Sequence, residues 1–258
     1  MEILVCIKQV PDDSVEIGYD AALGGPALDG VTPVVNAFDT YALEMATRLK
    51  ETVGGQVTVV SIGDDSVKNS LKNCLAVGAD KAWLIKDDQA AALDPAGVAK
   101  TLAKAKADLE SDTGQNFDMI FCGRESTDYA SAQVGVMLAD ELHLPCVTNV
   151  VAVEQTENGM AIKQETEEGY HRVECGTPCI VTIQKPNYDP RYPTIKSKMA
   201  ARKKPIGELT PAKDAGSSME VVKVYGPAKR AAGVKIKTDD PKEAVAQAMA
   251  MMTEAKVF

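Results

Sequence analysis

The stretch Phe121 to Val134, FCGRESTDYASAQV, gathers residue types that can hold a phosphate. Gly123 permits a tight turn, while Ser126, Thr127, Asp128 and Ser131 carry side chains that cap helix starts or bond a ligand oxygen. An apolar run, Met119 to Cys122, leads into this loop, and Val134, Met137, Leu138 and Leu142 follow it at helical spacing. Strand, turn and helix start in that order bring free backbone N–H groups and a helix dipole beside Arg124, which is the chemistry of a diphosphate site. The same turn also reads as a plain connection, because any parallel α/β protein has several such turns. Nothing else in the chain offers chemistry of its own. No nucleophile-and-base pair or paired carboxylates stand out, and the six cysteines, at 6, 74, 122, 146, 175 and 179, have no CxxC spacing and only two histidines for company. That excludes the usual zinc and iron–sulfur patterns and leaves reduced thiols packed in or beside strands. Reaction chemistry must then come from a cofactor.

The elements that position the loop follow from the apolar pattern. Ile3 to Ile7, Gln56 to Ile62, Ala82 to Ile85 and Met119 to Cys122 are short runs without alternation, as expected of strands buried on both faces. Ala42, Met45, Ala46 and Leu49, then Val67, Leu71, Cys74 and Leu75, then Val98, Leu102, Ala105 and Leu109 keep helical spacing between them, with Asp39 or Thr40 expected to cap the first helix. Five βα units in succession predict a doubly wound, mostly parallel α/β sheet, with ligands at the carboxyl ends of its strands. Cys6, Ile62 and Gly123 mark three of those ends. Pro11 to Val35 is a long irregular excursion. After Pro145 the runs Cys146 to Val153, Met160 to Gln164, Tyr170 to Glu174 and Cys179 to Ile183 read as a strand continuing the sheet plus antiparallel hairpins. Residues 1–206 are expected to form the binding domain. Residues 207–258 are expected to form an extended arm, whose last helix, capped by Asp240-Pro241, needs another surface for Val245, Ala248, Met249 and Met252.

Composition narrows the partners. With 258 residues, 45% hydrophobic and 25% charged, the chain is an ordinary globular protein. A net charge of −9 argues against nucleic acid, and the only basic run is Lys196 to Lys204. No apolar run approaches the roughly 20 residues needed to cross a bilayer, and MEILVCIKQVPDD reads directly as a strand rather than a leader. A cytoplasmic location is expected.

Several stretches together resemble the β subunit of electron transfer flavoproteins, most closely its flavin-bifurcating branch. They are VCIKQVPD at 5 to 12, NAFDTYALE at 36 to 44, CLAVGAD at 74 to 80, the CGRESTDYASAQVG loop, DPRYPTIKSKMAARKKPI at 189 to 206 and PAKRAAGVKI at 227 to 236. The resemblance implies an electron carrier working as a heterodimer with an α subunit. It implies an adenine nucleotide at Cys6, at Asn36, Ala37, Phe38 and Asp39, at Ile62, and along Gly123, Arg124, Glu125, Ser126, Thr127, Asp128, Tyr129, Ala130, Ser131, Ala132, Gln133 and Val134. In the bifurcating branch that nucleotide is a second FAD, oxidising NADH and passing electrons to two acceptors, with ferredoxin or flavodoxin among them. The alternative is a structural AMP. More remotely, the fold type serves ATP-binding stress proteins and adenylating enzymes with a Ser-Gly-Gly-x-Asp-Ser loop, and that loop is absent here. Arg124 would neutralise phosphate or lie over a flavin ring, with a plain loop charge as the alternative, and Gln133 would bond a ribose or flavin oxygen unless it is a surface amide. Asp128 and Ser131 are expected to cap the following helix, and Asn36 and Asp39 suit adenine or ribose unless they only cap. Tyr192, Ile195, Lys196 and Met199 fall where the family docks onto dehydrogenases of the acyl-CoA type, or else form a solvated basic helix. Where the branch pattern has a Gly-Asp-Thr-like run before Ala-Gln-Val-Gly, this chain has Asp128-Tyr129-Ala130-Ser131.

Overall fold

The computed structural model describes residues 1–226, 228 and 232–257, so Pro227, Lys229, Arg230 and Ala231 of the 227 to 236 stretch lie outside the described residues, as does Phe258. In chain order the elements are β1 (Glu2–Cys6), β2 (Gln9–Pro11), β3 (Tyr19–Asp20), β4 (Gly25–Pro26), β5 (Pro33–Val35), α1 (Ala37–Val53), β6 (Gln56–Gly63), α2 (Val67–Val77), β7 (Lys81–Lys86) and α3 (Pro95–Thr113). There follow β8 (Met119–Gly123), α4 (Val134–Leu142), β9 (Cys146–Thr156), β10 (Gly159–Thr166), β11 (Gly169–Cys175), β12 (Cys179–Ile183), α5 (Ile195–Lys203), β13 (Gly207–Leu209) and α6 (Pro241–Glu254).

Nine strands form one sheet in the order β11-β10-β9-β12-β8-β1-β6-β7-β13. All neighbours pair in parallel except in the β9-β10-β11 meander. The apolar runs lack alternation because helices cover both faces. Ile3, Val5, Val57, Val59 and Phe121 point toward α1 and α2, whereas Leu4, Cys6, Val60, Ile120 and Cys122 point toward α3 and α4. Fully burying one such aliphatic side chain contributes about 1.5–3 kcal/mol, so both layers hold the sheet.

Two details differ from the pattern-based reading. Successive strand-then-helix units number four rather than five: the expected hairpins from β9 interrupt the run, and β12 then leads into α5. The strand after β8 is also not its neighbour: the chain lays β9 one position further out and returns to place β12 in the gap between them. The excursion at 11 to 35 folds into two short antiparallel ladders, β2 with β5 and β3 with β4. From β1 the chain steps outward through β6 and β7, then crosses back by α3 to β8 on the other side of β1. Strand order therefore reverses between β1 and β8, and their carboxyl ends form the switch point where such sheets bind ligands. The first residues of the expected arm, β13, pair with β7, and Trp83 of β7 lies so close to Gly207 that no side chain fits there. Among the described residues no helix is long and apolar enough to cross a membrane.

Candidate nucleotide-binding site

The switch point is assembled around one buried carboxylate. Asp39, in the first turn of α1, accepts the backbone N–H of Lys8 at 2.7 Å through Oδ2 and that of Gly123 at 3.1 Å through Oδ1. It thereby ties the end of β1 to the end of β8. Asp39 is 6% exposed, and burial pushes its carboxyl up to about 7 against the opposing pull of those N–H groups, Asn36 and Lys8. Gly123 is required by space rather than by turn geometry. A Cβ there would stand 2.2 Å from Asp39 Oδ1 and 2.8 Å from Phe38 Cβ, while its φ lies outside the left-handed region.

Asn36 is the N-cap residue of α1, in place of Asp39 or Thr40, yet its side chain does not cap the helix. Its amide instead donates to Glu125 O at 2.8 Å and accepts the Thr127 N–H at 3.1 Å, so it shapes the loop from across the switch point. Arg124 lies with its guanidinium carbon 5.2 Å from the centre of the Phe38 ring and pairs with Glu125. These contacts bring Asn36, Phe38, Asp39, Gly123, Arg124, Glu125 and Thr127 into one cluster. Cys6 and Cys122 are register partners on adjacent strands beneath it. Both are buried, and a hydrogen bond with Cys6, followed by desolvation, pushes the Cys122 thiol well up, which suits a packed floor and not a nucleophile. Ile62 is the penultimate residue of β6, on the far side of β1, and Ala37 is exposed beside Phe38; both share the carboxyl edge with the loop.

Residues 128–133 form an exposed shelf. Ala130 and Ala132 adopt positive φ, 49° and 53°, and the Ala130 N–H turns back to donate to Ser126 O at 2.7 Å. Neither Asp128 nor Ser131 caps α4. The helix begins after Gln133, with no side-chain cap, so the N–H groups of its first turn are left for a ligand or water. Asp128 is drawn away by Lys8, whose ammonium lies 2.6 Å from Oδ2 and 4.8 Å from the centre of the Tyr129 ring. Gly135 lets α4 settle onto the sheet, because a Cβ there would meet Thr182 Cγ2 at 2.6 Å. The uncapped N–H groups at the start of α4 and Arg124 beside them fit an anionic group such as a phosphate or diphosphate. Among the described residues no group of three or more His, Cys, Asp and Glu could hold a metal ion. A separate polar cleft of about 470 Å³, lined by Met1, Asp118, Asn158 and Thr177 among others, opens at the opposite, amino edge, away from these groups.

Lys8 was missed in the sequence because a single lysine after a strand carries no pattern. The docking candidates stand apart from this cluster: Tyr192 precedes α5, and Ile195, Lys196 and Met199 lie on it, all exposed.

A doubly wound α/β protein with an arginine-flanked, uncapped helix start at its switch point is the class that the fold and the site define. The electron transfer flavoprotein domain model matches residues 28–214. The chain is 35% identical to an electron transfer flavoprotein subunit beta of Megasphaera elsdenii, with 100% of each chain covered. It is 34% identical to the caffeyl-CoA reductase-Etf complex subunit CarD of Acetobacterium woodii, over 80% of this chain and 77% of the relative. It is 31% identical to the acryloyl-CoA reductase electron transfer subunit gamma of Anaerotignum propionicum, over 93% of this chain and 94% of the relative. The chain belongs to the electron transfer flavoprotein family, as a β subunit.

Proposed function

We propose that this β subunit holds FAD on the 123–134 loop and that, paired with an α subunit, it takes part in flavin-based electron bifurcation. The observation that carries the proposal is the loop itself, with its uncapped α4 start, positive-φ Ala130 and Ala132, and adjacent Arg124 at the switch point. The chemistry a bound FAD supplies is acceptance of a hydride from NADH and release of its two electrons to separate acceptors. The chain's own part is to bind and bias. The N–H groups of the first turn of α4 would hold the diphosphate, while Phe38 keeps Arg124 near that negative charge. One relative named as a subunit of a caffeyl-CoA reductase-Etf complex and another named as the electron transfer subunit gamma of an acryloyl-CoA reductase support a role in such a complex. Exposed Tyr192, Ile195 and Met199 amid the Lys196 to Lys204 charges suit a transient dock for an acyl-CoA dehydrogenase, an apolar anchor with steering charge. Of the arm, β13 stays on this chain's own sheet, and α6 is assigned to the α subunit because it buries none of its side chains within this chain and leaves Val245, Met249 and Met252 exposed.

Counting nucleotides in the purified heterodimer tests the cofactor. Two flavins are expected, and one flavin plus AMP would move the protein to the non-bifurcating reading. A second test concerns Arg124. Arg124→Ala removes a cation that favours the more negative, reduced form of a nearby flavin, so one potential should fall by about 30 mV, a tenfold effect for a two-electron couple. An unchanged redox titration of the heterodimer would remove Arg124 from the site.

A further inference from the structure

We propose that Arg191 is a positioning residue for the docking segment, setting the orientation in which Tyr192 and Ile195 are presented to the electron-transfer partner. This rests on the docking role assigned above to residues 192–199. Glu44, on the apolar side of α1, has a side chain only 2% exposed and is 147 residues from Arg191 in sequence. It accepts the backbone N–H of Arg191 at 3.1 Å, its Nε at 2.8 Å and one terminal nitrogen at 3.3 Å, together with Arg48 Nε at 2.6 Å. The guanidinium's two terminal nitrogens also reach Glu51, two turns further along the same face of α1, at 2.6 and 3.0 Å. Arg48 is itself packed over Tyr188, its guanidinium carbon 3.8 Å from the ring centre, so the chain on both sides of Asp189-Pro190 is pinned to α1. Burial would push the Glu44 carboxyl up, but the hydrogen bonds from Arg191 and Arg48 outweigh it and hold the group below its usual range. A guanidinium that satisfies two carboxylates while its own N–H satisfies one of them has a single orientation, unlike a surface lysine.

The clamp is connected stiffly to the residues it would position. Only Tyr192 and Pro193 separate Arg191 from Thr194, and Pro193 has a fixed φ. Thr194 then closes a capping box with Ser197, its Oγ1 accepting the Ser197 N–H at 3.1 Å and its N–H donating to Ser197 Oγ at 2.9 Å. The far end of α5 is fixed in a complementary way. Lys72 of α2 donates to the carbonyls of Ala201 and Arg202, each at 3.2 Å, and to that of Lys204, while Lys204 Nζ donates back to Ala79 O at 3.0 Å. Between these anchors Tyr192 is 87% and Ile195 83% exposed. Two large apolar side chains are thus held out in water on a segment fixed at both ends, an arrangement that spares a partner the cost of ordering them.

The test uses the flavin-loaded heterodimer with a purified acyl-CoA dehydrogenase, reduced by its acyl-CoA, as the electron donor. Arg191→Ala should raise the KM for the heterodimer about tenfold while kcat, flavin content and visible spectrum hold, and Arg191→Lys should not restore it, since one ammonium cannot span Glu44 and Glu51. Should Arg191→Ala fail to assemble, Glu51→Gln removes only the exposed half of the clamp and should give a KM rise of about threefold. Ile195→Ala separates the two levels of the proposal. If it leaves KM unchanged, the docking assignment is wrong. If it raises KM while Arg191→Ala and Glu51→Gln do not, or if the Arg191→Ala and Ile195→Ala effects multiply fully in the double variant, docking stands and positioning by Arg191 is overturned.

Discussion

Gly123→Ala is expected to abolish nucleotide retention. The added methyl would meet a carboxylate oxygen at 2.2 Å, Phe38 Cβ at 2.8 Å and the Asp39 backbone nitrogen at 3.0 Å. None of these is the free end of a flexible side chain. Asp39 is locked by the N–H groups of Lys8 and Gly123 itself, and Phe38 and the Asp39 nitrogen belong to the first turn of α1. Relief therefore requires either β8 to move away from α1 or Asp39 to release both strand ends. Overpacking of this kind costs about 1–3 kcal/mol, and each buried N–H left without an acceptor about 1–3 kcal/mol more. A total on the order of 3–5 kcal/mol falls on the contacts that aim Arg124 and Thr127, so nucleotide affinity should drop by roughly 100-fold or more. Nucleotide released from denatured heterodimer, quantified per mole of protein, provides the measurement. Stoichiometric nucleotide in Gly123→Ala would show that the switch point tolerates the displacement and that the site lies elsewhere.

The parts of this site that the sequence revealed are those written in local chemistry. Met119 to Cys122, Gly123 and the polar loop announce a strand-to-helix turn because burial on both faces produces an unbroken apolar run and the loop residues produce none. Capping was misread for a physical reason: Asn36, Asp39 and Asp128 are all good cap residues, but each is engaged by a tertiary partner, respectively the 125–127 backbone, two strand ends and Lys8. A helix-capping rule sees only neighbours in sequence. Strand order was hidden for a similar reason, since CVTNVVAV and CIVTI are equally apolar and nothing local says which one lies against β8. Glu44 did leave a trace, a carboxylate set among Ala42, Leu43, Met45 and Ala46. Its partner Arg191 lies on the opposite side of the fold in sequence, and only the packed structure joins them.

Asp39 also predicts how stability should vary with pH. Its carboxyl is pushed up to about 7 in the folded chain, from an ordinary value of 3.8, chiefly by burial. The folded state thus holds a proton that the unfolded chain has already released. The stabilisation is complete below about pH 4 and is lost as pH rises through about 7, a change on the order of 4 kcal/mol. Other carboxylates act with the opposite sign but in a different window. Asp12, Asp64 and Asp94 are held below the usual range by hydrogen bonds from nearby Ser or backbone groups, and Glu51 by Arg191, so their contributions grow with pH and are complete near their unfolded values. Between about pH 5 and 7 the slope should then belong mainly to Asp39, with unfolding free energy falling as pH rises. Asp39→Asn removes the titration. It also turns an amide NH2 toward one of the two backbone N–H donors, losing one buried hydrogen bond at about 1–3 kcal/mol. The variant should be flat across pH 5 to 7 in urea unfolding while the unsubstituted chain declines, and the gap between them should narrow at pH 8. Parallel slopes in the two proteins would mean that Asp39 is already ionised at pH 5, its charge carried by the two strand-end N–H groups.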